Sequence, residues 1–377
     1  MALSRLSRAI RPGKTVVTVS RPRFHRLTVS RVDPLTDDSV AVTFCVPPDL
    51  LRGYTYFAGQ HLTLRSEVDG QDLRRSYSIC APVSAYATGE LRVAVKRLAG
   101  GVFSGWLHDH LRPGAELDVL TPLGHFGAQG GAATSGHHVA VAAGSGITPV
   151  LSILSTVLEQ SPTSTATLLY GNQRGATVMF RDELSDLKDQ YLQRFQLVHV
   201  LSREQQVAEL LSGRLDPPRI RRLLDAFVPD DVAQGYLCGP HAMVTGARDL
   251  LSARGVPAER VHLELFYVED VAPVRTPDEA VADSRAATVL VTLDGRTSEV
   301  AMRSRDESVL AATLRVRPDA PFACTGGVCG TCRARVVEGQ VRMDRNFALE
   351  PDELARGIVL ACQSHPVTDR VSLTYDA

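Results

Sequence analysis

Between residues 24 and 127 apolar and polar side chains alternate in short runs. Segments 27–32, 40–44, 61–64 and 91–95 repeat with period two, and Pro47-Pro48, Asp69-Gly70 and Pro113-Gly114 separate such runs. Short half-buried strands at this spacing predict an antiparallel β-barrel or sandwich. From His138 the texture changes. Residues 139–143 are continuously apolar and run through Gly144-Ser145-Gly146 into a helical stretch ending near Leu158. Further apolar strands at 166–170, 195–201, 235–239 and 261–266 alternate with helices at 181–190 and 241–253. Buried strands alternating with helices predict a parallel, doubly wound α/β sheet. Residues 271–287 are polar and Pro-bearing and read as a linker. A hairpin at 288–293 and 296–302, a short helix at 307–314 and a cysteine-rich loop follow. The expected division is a basic arm at 1–22, a barrel domain at 23–130, an α/β domain at 134–270, the linker, and a small domain at 288–377.

The chain has 377 residues and a formal net charge of −1, which gives no global signal for nucleic-acid binding. No apolar run reaches the roughly 20 residues needed to span a bilayer, so no membrane association is expected. The first 31 residues hold seven arginines and one lysine, with no acid until Asp33. Such a start reads as a disordered basic arm, or alternatively as an organellar transit peptide. It has no apolar core for secretion, and a cytoplasmic location is expected.

Four of the seven cysteines fall in the last 54 residues, as Cys324-x4-Cys329-x2-Cys332 and then, after 29 residues, Cys362. Clustering of this kind favours metal over disulfides. The spacing is that of a plant-type [2Fe–2S] site. Gly326, Gly327 and Gly330 leave room for backbone N–H groups to approach sulfur, and Thr325 and Thr331 add hydroxyls. The alternative, a zinc site of four thiolates, usually pairs two close CxxC knuckles. Cys45, Cys80 and Cys238 lie in apolar contexts and read as buried core residues.

Arg75, Ser76, Tyr77 and Ser78 read as the start of a barrel strand. On one strand face an arginine can pair with a phosphate while a tyrosine ring lies against a flavin. The same pattern alone also fits an ordinary strand. Lys96 ends another strand, and Gly100, Gly101 and Ser104 open a helix near Val102, the arrangement of a phosphate site at a helix N-terminus. Residues 121–126, Thr-Pro-Leu-Gly-His-Phe, form a weaker third match. Gly144 and Gly146 make the turn that a dinucleotide pyrophosphate requires between a buried strand and a helix. The fingerprint's third glycine is absent. No acid follows the second strand; Arg174 does, and an arginine there suits a 2′-phosphate, so NADPH is favoured over NADH. Cys238, Gly239 and Pro240 lie at the carboxyl edge of the sheet, where open α/β sheets bind ligands. The histidines, including His137 and His138, have no recognisable metal partners.

In this order R-S-Y-S, G-G-V-F-S, G-S-G-I-T-P, Y-G-N and C-G-P resemble the ferredoxin–NADP reductase superfamily. With the terminal cysteine motif, residues 24–377 resemble oxygenase reductases with a flavin domain first and a ferredoxin domain last. The final stretch, Cys324–Arg333 with 343–350 and 361–369, is similar to the reductase subunits of phenylacetyl-CoA epoxidases; reductases of steroid and aromatic-ring hydroxylases share much of it. The resemblance implies a β-grasp-like ferredoxin domain, FAD, NADPH as donor, and the subunits of a multicomponent di-iron oxygenase as partner. It implies that Arg75 binds the flavin phosphate, Tyr77 and Ser78 face the isoalloxazine, and Gly100, Gly101 and Ser104 hold the pyrophosphate. Gly144, Gly146 and Thr148 would line the nucleotide, Cys238 would approach the nicotinamide, and Phe266 would shield the flavin. Nicotinamide surrenders two electrons as hydride and a [2Fe–2S] cluster accepts one; a flavin does both, and the cofactors carry that chemistry. A non-enzymatic iron–sulfur module would need none of the flavin and nucleotide motifs. From Thr288 onward 12 acids face 11 arginines, so docking is expected to depend on local shape near residues 325–331, with Arg333 and Arg335 at that face.

Overall fold

The computed structural model describes residues 22–127, 135–266 and 287–376. The basic arm to residue 21, the boundary at 128–134 and the linker to residue 286 lie outside the described residues. The barrel domain is built from β1 (Phe24–Thr36), β2 (Ser39–Cys45), β3 (His61–Val68), β4 (Gln71–Ser78), β5 (Glu90–Lys96), α1 (Val102–His110) and β6 (Glu116–Leu120). Its strands run antiparallel in the order β4-β3-β6-β1-β2-β5. An antiparallel bridge between Ile79 and Val93 brings the two edges together. Alternate side chains (Leu62 and Leu64, Val93 and Val95) are fully buried inside, as period-two patterning requires. The β3–β4 hairpin closes on Asp69-Gly70 with φ of 51° and 75°. Such a two-residue turn needs positive φ at both positions, and it fixes the register that pairs His61 with Ser78.

The second domain holds β7 (His137–Ala143), α2 (Ile147–Gln160), β8 (Thr165–Asn172), α3 (Arg181–Gln190), β9 (Phe195–Leu201), α4 (Pro217–Phe227), β10 (Val232–Cys238), α5 (His241–Ala253) and β11 (Val261–Glu264). All neighbouring strands are parallel, in the order β11-β10-β7-β8-β9. The order reverses between β7 and β10, so the crevice lies at their carboxyl ends. One apolar cluster covers each face of the sheet. Helix α4 was not anticipated from the sequence, although Asp216 caps it by accepting from Arg219 N, and Pro217 opens it. Ser152 and Thr156 of α2 bond to Ala81 O and Val83 N and join the sheet domain to the barrel.

The third domain comprises β12 (Thr288–Leu293), β13 (Arg296–Ala301), α6 (Val309–Val316), β14 (Arg333–Glu338), β15 (Val341–Met343), α7 (Pro351–Ala355), β16 (Ile358–Leu360), β17 (Ser364–Pro366) and β18 (Arg370–Thr374). Its sheet runs β13-β12-β18-β14-β16, with β12 parallel to β18, and α6 packs across it in one apolar core. Helix α6 starts two residues later than expected because the Ser308 side chain caps it through Ala311 N. Ala287, assigned from sequence to the linker, is fully buried in this core. Among the described residues no helix is long and apolar enough to cross a membrane.

Candidate functional site

The loop preceding β14 gathers three of the four cysteines, and the turn after β16 brings in the fourth. Cys324 and Cys362 are held below the usual thiol range. Cys324, at about 6, is lowered first by a hydrogen bond from Cys329 and then by the N–H groups of Gly326, Val328 and Cys329. Cys362 is lowered first by Cys332, then by the Gln363 amide and the Gly327 N–H. The thiols thus form two pairs, Cys324 with Cys329 and Cys332 with Cys362. A two-iron cluster takes two terminal thiolates per iron, and two such pairs fit that donor set. Gly326 N donates to Cys324 Sγ at 3.4 Å, and Cys329 Sγ lies 3.2 Å from Thr331 Oγ1. Thr325 departs from expectation: its hydroxyl bonds Cys324 O instead of sulfur.

The cluster loop has two unlike sides. Thr325 is exposed, and Gln363 Nε2 bonds its carbonyl at 2.8 Å. Val328 and, further along, Phe347 pack against the apolar cluster of the second domain. Phe347 meets His241 edge-on with centroids 6.0 Å apart. Residues 325–331 are therefore only partly free for a partner. Arg333 is turned inward as well: its Nε pairs with Glu353 at 3.1 Å and its Nη2 donates to Ala348 O and to His125 Nδ1, both at 2.9 Å. Arg335 is exposed.

In the barrel, Arg75 through Ser78 lie at the end of β4, not at its start. This directs them toward the second domain. Arg75 is exposed and Tyr77 packs its ring on the barrel core; burial raises the Tyr77 hydroxyl above its ordinary pKa. Ser76 Oγ lies 3.1 Å from Thr63 Oγ1. Lys96 pairs with Asp38 at 3.3 Å. Helix α1 begins at Gly101 without a side-chain cap, which leaves first-turn N–H groups for an anion. A Cβ on Gly100 would meet nothing within 4 Å, so a phosphate has room to approach. Ser104 contributes less than expected, since its buried hydroxyl accepts from Leu98 N and donates to Gly101 O. These donors suit a flavin phosphate.

At the carboxyl edge of the parallel sheet, Gly144 has φ of 54° and its carbonyl accepts from Tyr170 Oη at 2.9 Å. A Cβ on Gly146 would stand 2.3 Å from Cys238 O, so only glycine lets the two loops of the crevice meet. Thr148 Oγ1 returns to Ser145 O. Pro149 sits in the first turn of α2, where a missing N–H costs no helix bond. Gly239, with φ of 157°, and Pro240 lead into α5. Arg174 is exposed after β8, and Arg203 N bonds Gln173 O, which brings Arg203 beside that loop. Phe266 is the last described residue of this domain and is exposed. Cys80 and Cys238 are buried, as expected, but Cys45 is exposed, because it ends β2 on the outward parity.

One residue was missed altogether. Glu264 is the register partner of Cys238 on the neighbouring strand, and Ser78 Oγ donates to its Oε2 at 3.0 Å. The residue is half-buried, and loss of surrounding water pushes its carboxyl up to about 8, opposed by Ser78 and reinforced by Cys329. Burial first, and then Glu264, raises the Cys238 thiol. Barrel and parallel sheet therefore meet at one carboxylate, with Cys329 of the cysteine loop near enough to act on its charge.

Three family descriptions match the chain in sequence: the oxidoreductase FAD-binding domain over 27–127, the oxidoreductase NAD-binding domain over 140–249, and the 2Fe-2S iron-sulfur cluster binding domain over 291–367. The chain is 44% identical over 355 residues to a subunit of the 1,2-phenylacetyl-CoA epoxidase of Escherichia coli, covering 94% of this chain and 98% of that one. It is 36% identical to the ferredoxin reductase component of 3-ketosteroid-9-alpha-monooxygenase of Mycobacterium tuberculosis, covering 93% and 95%. The solved phthalate dioxygenase reductase shares the fold, with TM-score 0.55 and 22% identity over 93% of this chain and 98% of that one.

Proposed function

The chain belongs to the oxygenase-reductase family that includes this 1,2-phenylacetyl-CoA epoxidase component, and on that premise we propose that it passes electrons from NADPH through FAD and a [2Fe–2S] cluster to the oxygenase subunits of a phenylacetyl-CoA epoxidase. It is an NAD(P)H-dependent oxidoreductase with flavin-, nicotinamide- and cluster-binding domains. The observation that carries the reading is the meeting of Ser78, Cys238 and Glu264 where the barrel faces the carboxyl edge of the parallel sheet. In this arrangement the end of β4 and the first turn of α1 orient the flavin. Gly146 and Gly239 let the nicotinamide nucleotide approach it, and Val328 and Phe347 seat the cysteine loop against the second domain. When bound, the flavin converts one hydride into two single-electron transfers.

NADPH is favoured by Arg174, with Arg203 beside it; Glu204 reaches the same loop, where its carboxylate accepts from Gly175 N at 2.8 Å. Arginine pairs well with a 2′-phosphate. Replacing both arginines with alanine should lower kcat/KM for NADPH and leave NADH almost unchanged; equal losses would remove that preference. The partner is tested by adding purified oxygenase subunits. NADPH oxidation coupled to epoxidation of phenylacetyl-CoA only in the mixture supports the proposal, while turnover by this chain alone contradicts it. The shared reductase architecture would serve a steroid hydroxylase equally, and oxygen transfer to a 3-ketosteroid by a matching oxygenase, without coupling to the epoxidase, would favour that second reading.

A further inference from the structure

Arg74 precedes the flavin-facing Arg75 and points the opposite way along β4. Its side chain is only 3% exposed although it carries a full charge. Nε and Nη2 grip Asp72, with Nη2 at 2.7 Å from Oδ2. The remaining donors cross to the ferredoxin domain: Nη1 reaches Ala320 O at 3.2 Å and Nη2 reaches Pro318 O at 3.4 Å. The guanidinium also lies 4.2 Å from the Phe322 ring centre and 5.5 Å from that of Phe24. Burying such a group is costly compared with an apolar side chain of similar volume. What it adds is direction, because a planar fork fixes the carbonyls and ring it meets.

The two ends of this contact lead straight to the two redox sites. Four residues beyond Arg74, about 13 Å along an extended strand, Ser78 reaches Glu264. Two residues beyond Phe322 is Cys324. A second tie, from Arg333 to His125, pins the residue that follows Cys332 to the barrel. From this placement we infer that Arg74 is a positioning residue for electron transfer: clamped on Pro318, Ala320 and Phe322, it sets the separation of flavin and cluster within the chain. The inference rests on the relay proposed above. The step it governs moves one electron from the reduced flavin to the oxidised cluster, with no bond made or broken.

The test uses the full chain carrying both cofactors, as wild type, Arg74→Leu, Arg74→Lys and Phe322→Leu. Each is reduced anaerobically with NADPH in a stopped-flow instrument. Electron transfer weakens as the separation of donor and acceptor grows, so cluster bleaching in Arg74→Leu is expected to slow severalfold. NADPH–ferricyanide turnover, taken from the flavin, should stay at the wild-type value, and the EPR signal of the reduced cluster should be unaltered. Arg74→Lys keeps the charge but not the fork and should be intermediate. Amide hydrogen exchange at 318–323 should rise in Arg74→Leu. Wild-type bleaching and exchange in folded Arg74→Leu would overturn the inference, as would a parallel fall in ferricyanide turnover. Should Arg74→Leu fail to fold, Phe322→Leu decides from the ferredoxin side: slowed bleaching supports the inference and wild-type bleaching refutes it. A wild-type cluster that NADPH does not reduce would refute the relay itself, a separate result.

Discussion

The cysteine loop and the crevice at Glu264 both gather donor atoms, and they are built in opposite ways. The loop takes three of its four thiols from nine consecutive residues, 324–332, and aims backbone N–H groups at Cys324 over contacts no longer than five residues. The crevice takes Ser78, Cys238 and Glu264 from two domains, and Ser78 and Glu264 are 186 residues apart. A local site carries its geometry with it when a domain moves. An assembled site exists only while the domains are seated. The cluster should therefore survive lesions that destroy the crevice, and the crevice should survive loss of the cluster.

The largest expected effect tests the second half of that statement. Cys329→Ala removes one thiol of a pair and should abolish electron delivery to the oxygenase, while NADPH–ferricyanide turnover stays near wild type. Retained coupling in that variant would mean electrons bypass the cluster. Glu264→Ala tests the other half. Misplacing the groups around the hydride path should slow flavin reduction by about tenfold to a hundredfold, so ferricyanide and oxygenase rates should drop together while the cluster absorbance persists. A variant that loses only the oxygenase rate would place Glu264 on the cluster side.

How much of this was legible follows from the same contrast. The cysteine spacing is a one-dimensional signal, so the cluster could be read directly, and period-two and apolar runs gave the barrel and the parallel sheet. Glu264 sits in Leu263-Glu264-Leu265, which reads as the outward position of an ordinary strand; only the pairing of β10 with β11 sets it beside Cys238. Arg74 was overlooked for Arg75, although consecutive strand residues face opposite sides and one of the two had to turn elsewhere. Arg333 looked like a docking residue because the sequence does not show His125 and Glu353 closing around it. Helix α4 left an Asp-Pro-Pro signal, an N-cap followed by prolines in the first turn, from which its start could have been read.

A smaller effect sharpens the comparison from the acid side. His61 is buried in the barrel, and burial first, then the charges of Arg333 and His125, hold it at about 3, well below the ordinary 6.5. The unfolded chain therefore takes up that proton first. The stability His61 contributes is full above about 6.5 and is lost as pH falls toward 3. His61→Gln should reduce the drop in melting temperature between pH 7 and pH 5 by a few degrees. An unchanged drop would show that other groups dominate the acid response.

The central claim is that one chain leads electrons from a nicotinamide through a flavin to a plant-type cluster. An anaerobic titration of the purified protein, holding both cofactors, with NADPH under absorbance and EPR tests it most directly. The account predicts that flavin and cluster bands both bleach and that a reduced [2Fe–2S] signal appears, and that the cluster bands stay oxidised when the flavin has been removed. Bleaching of the flavin with a cluster that stays oxidised, or a cluster reduced without flavin, would contradict it.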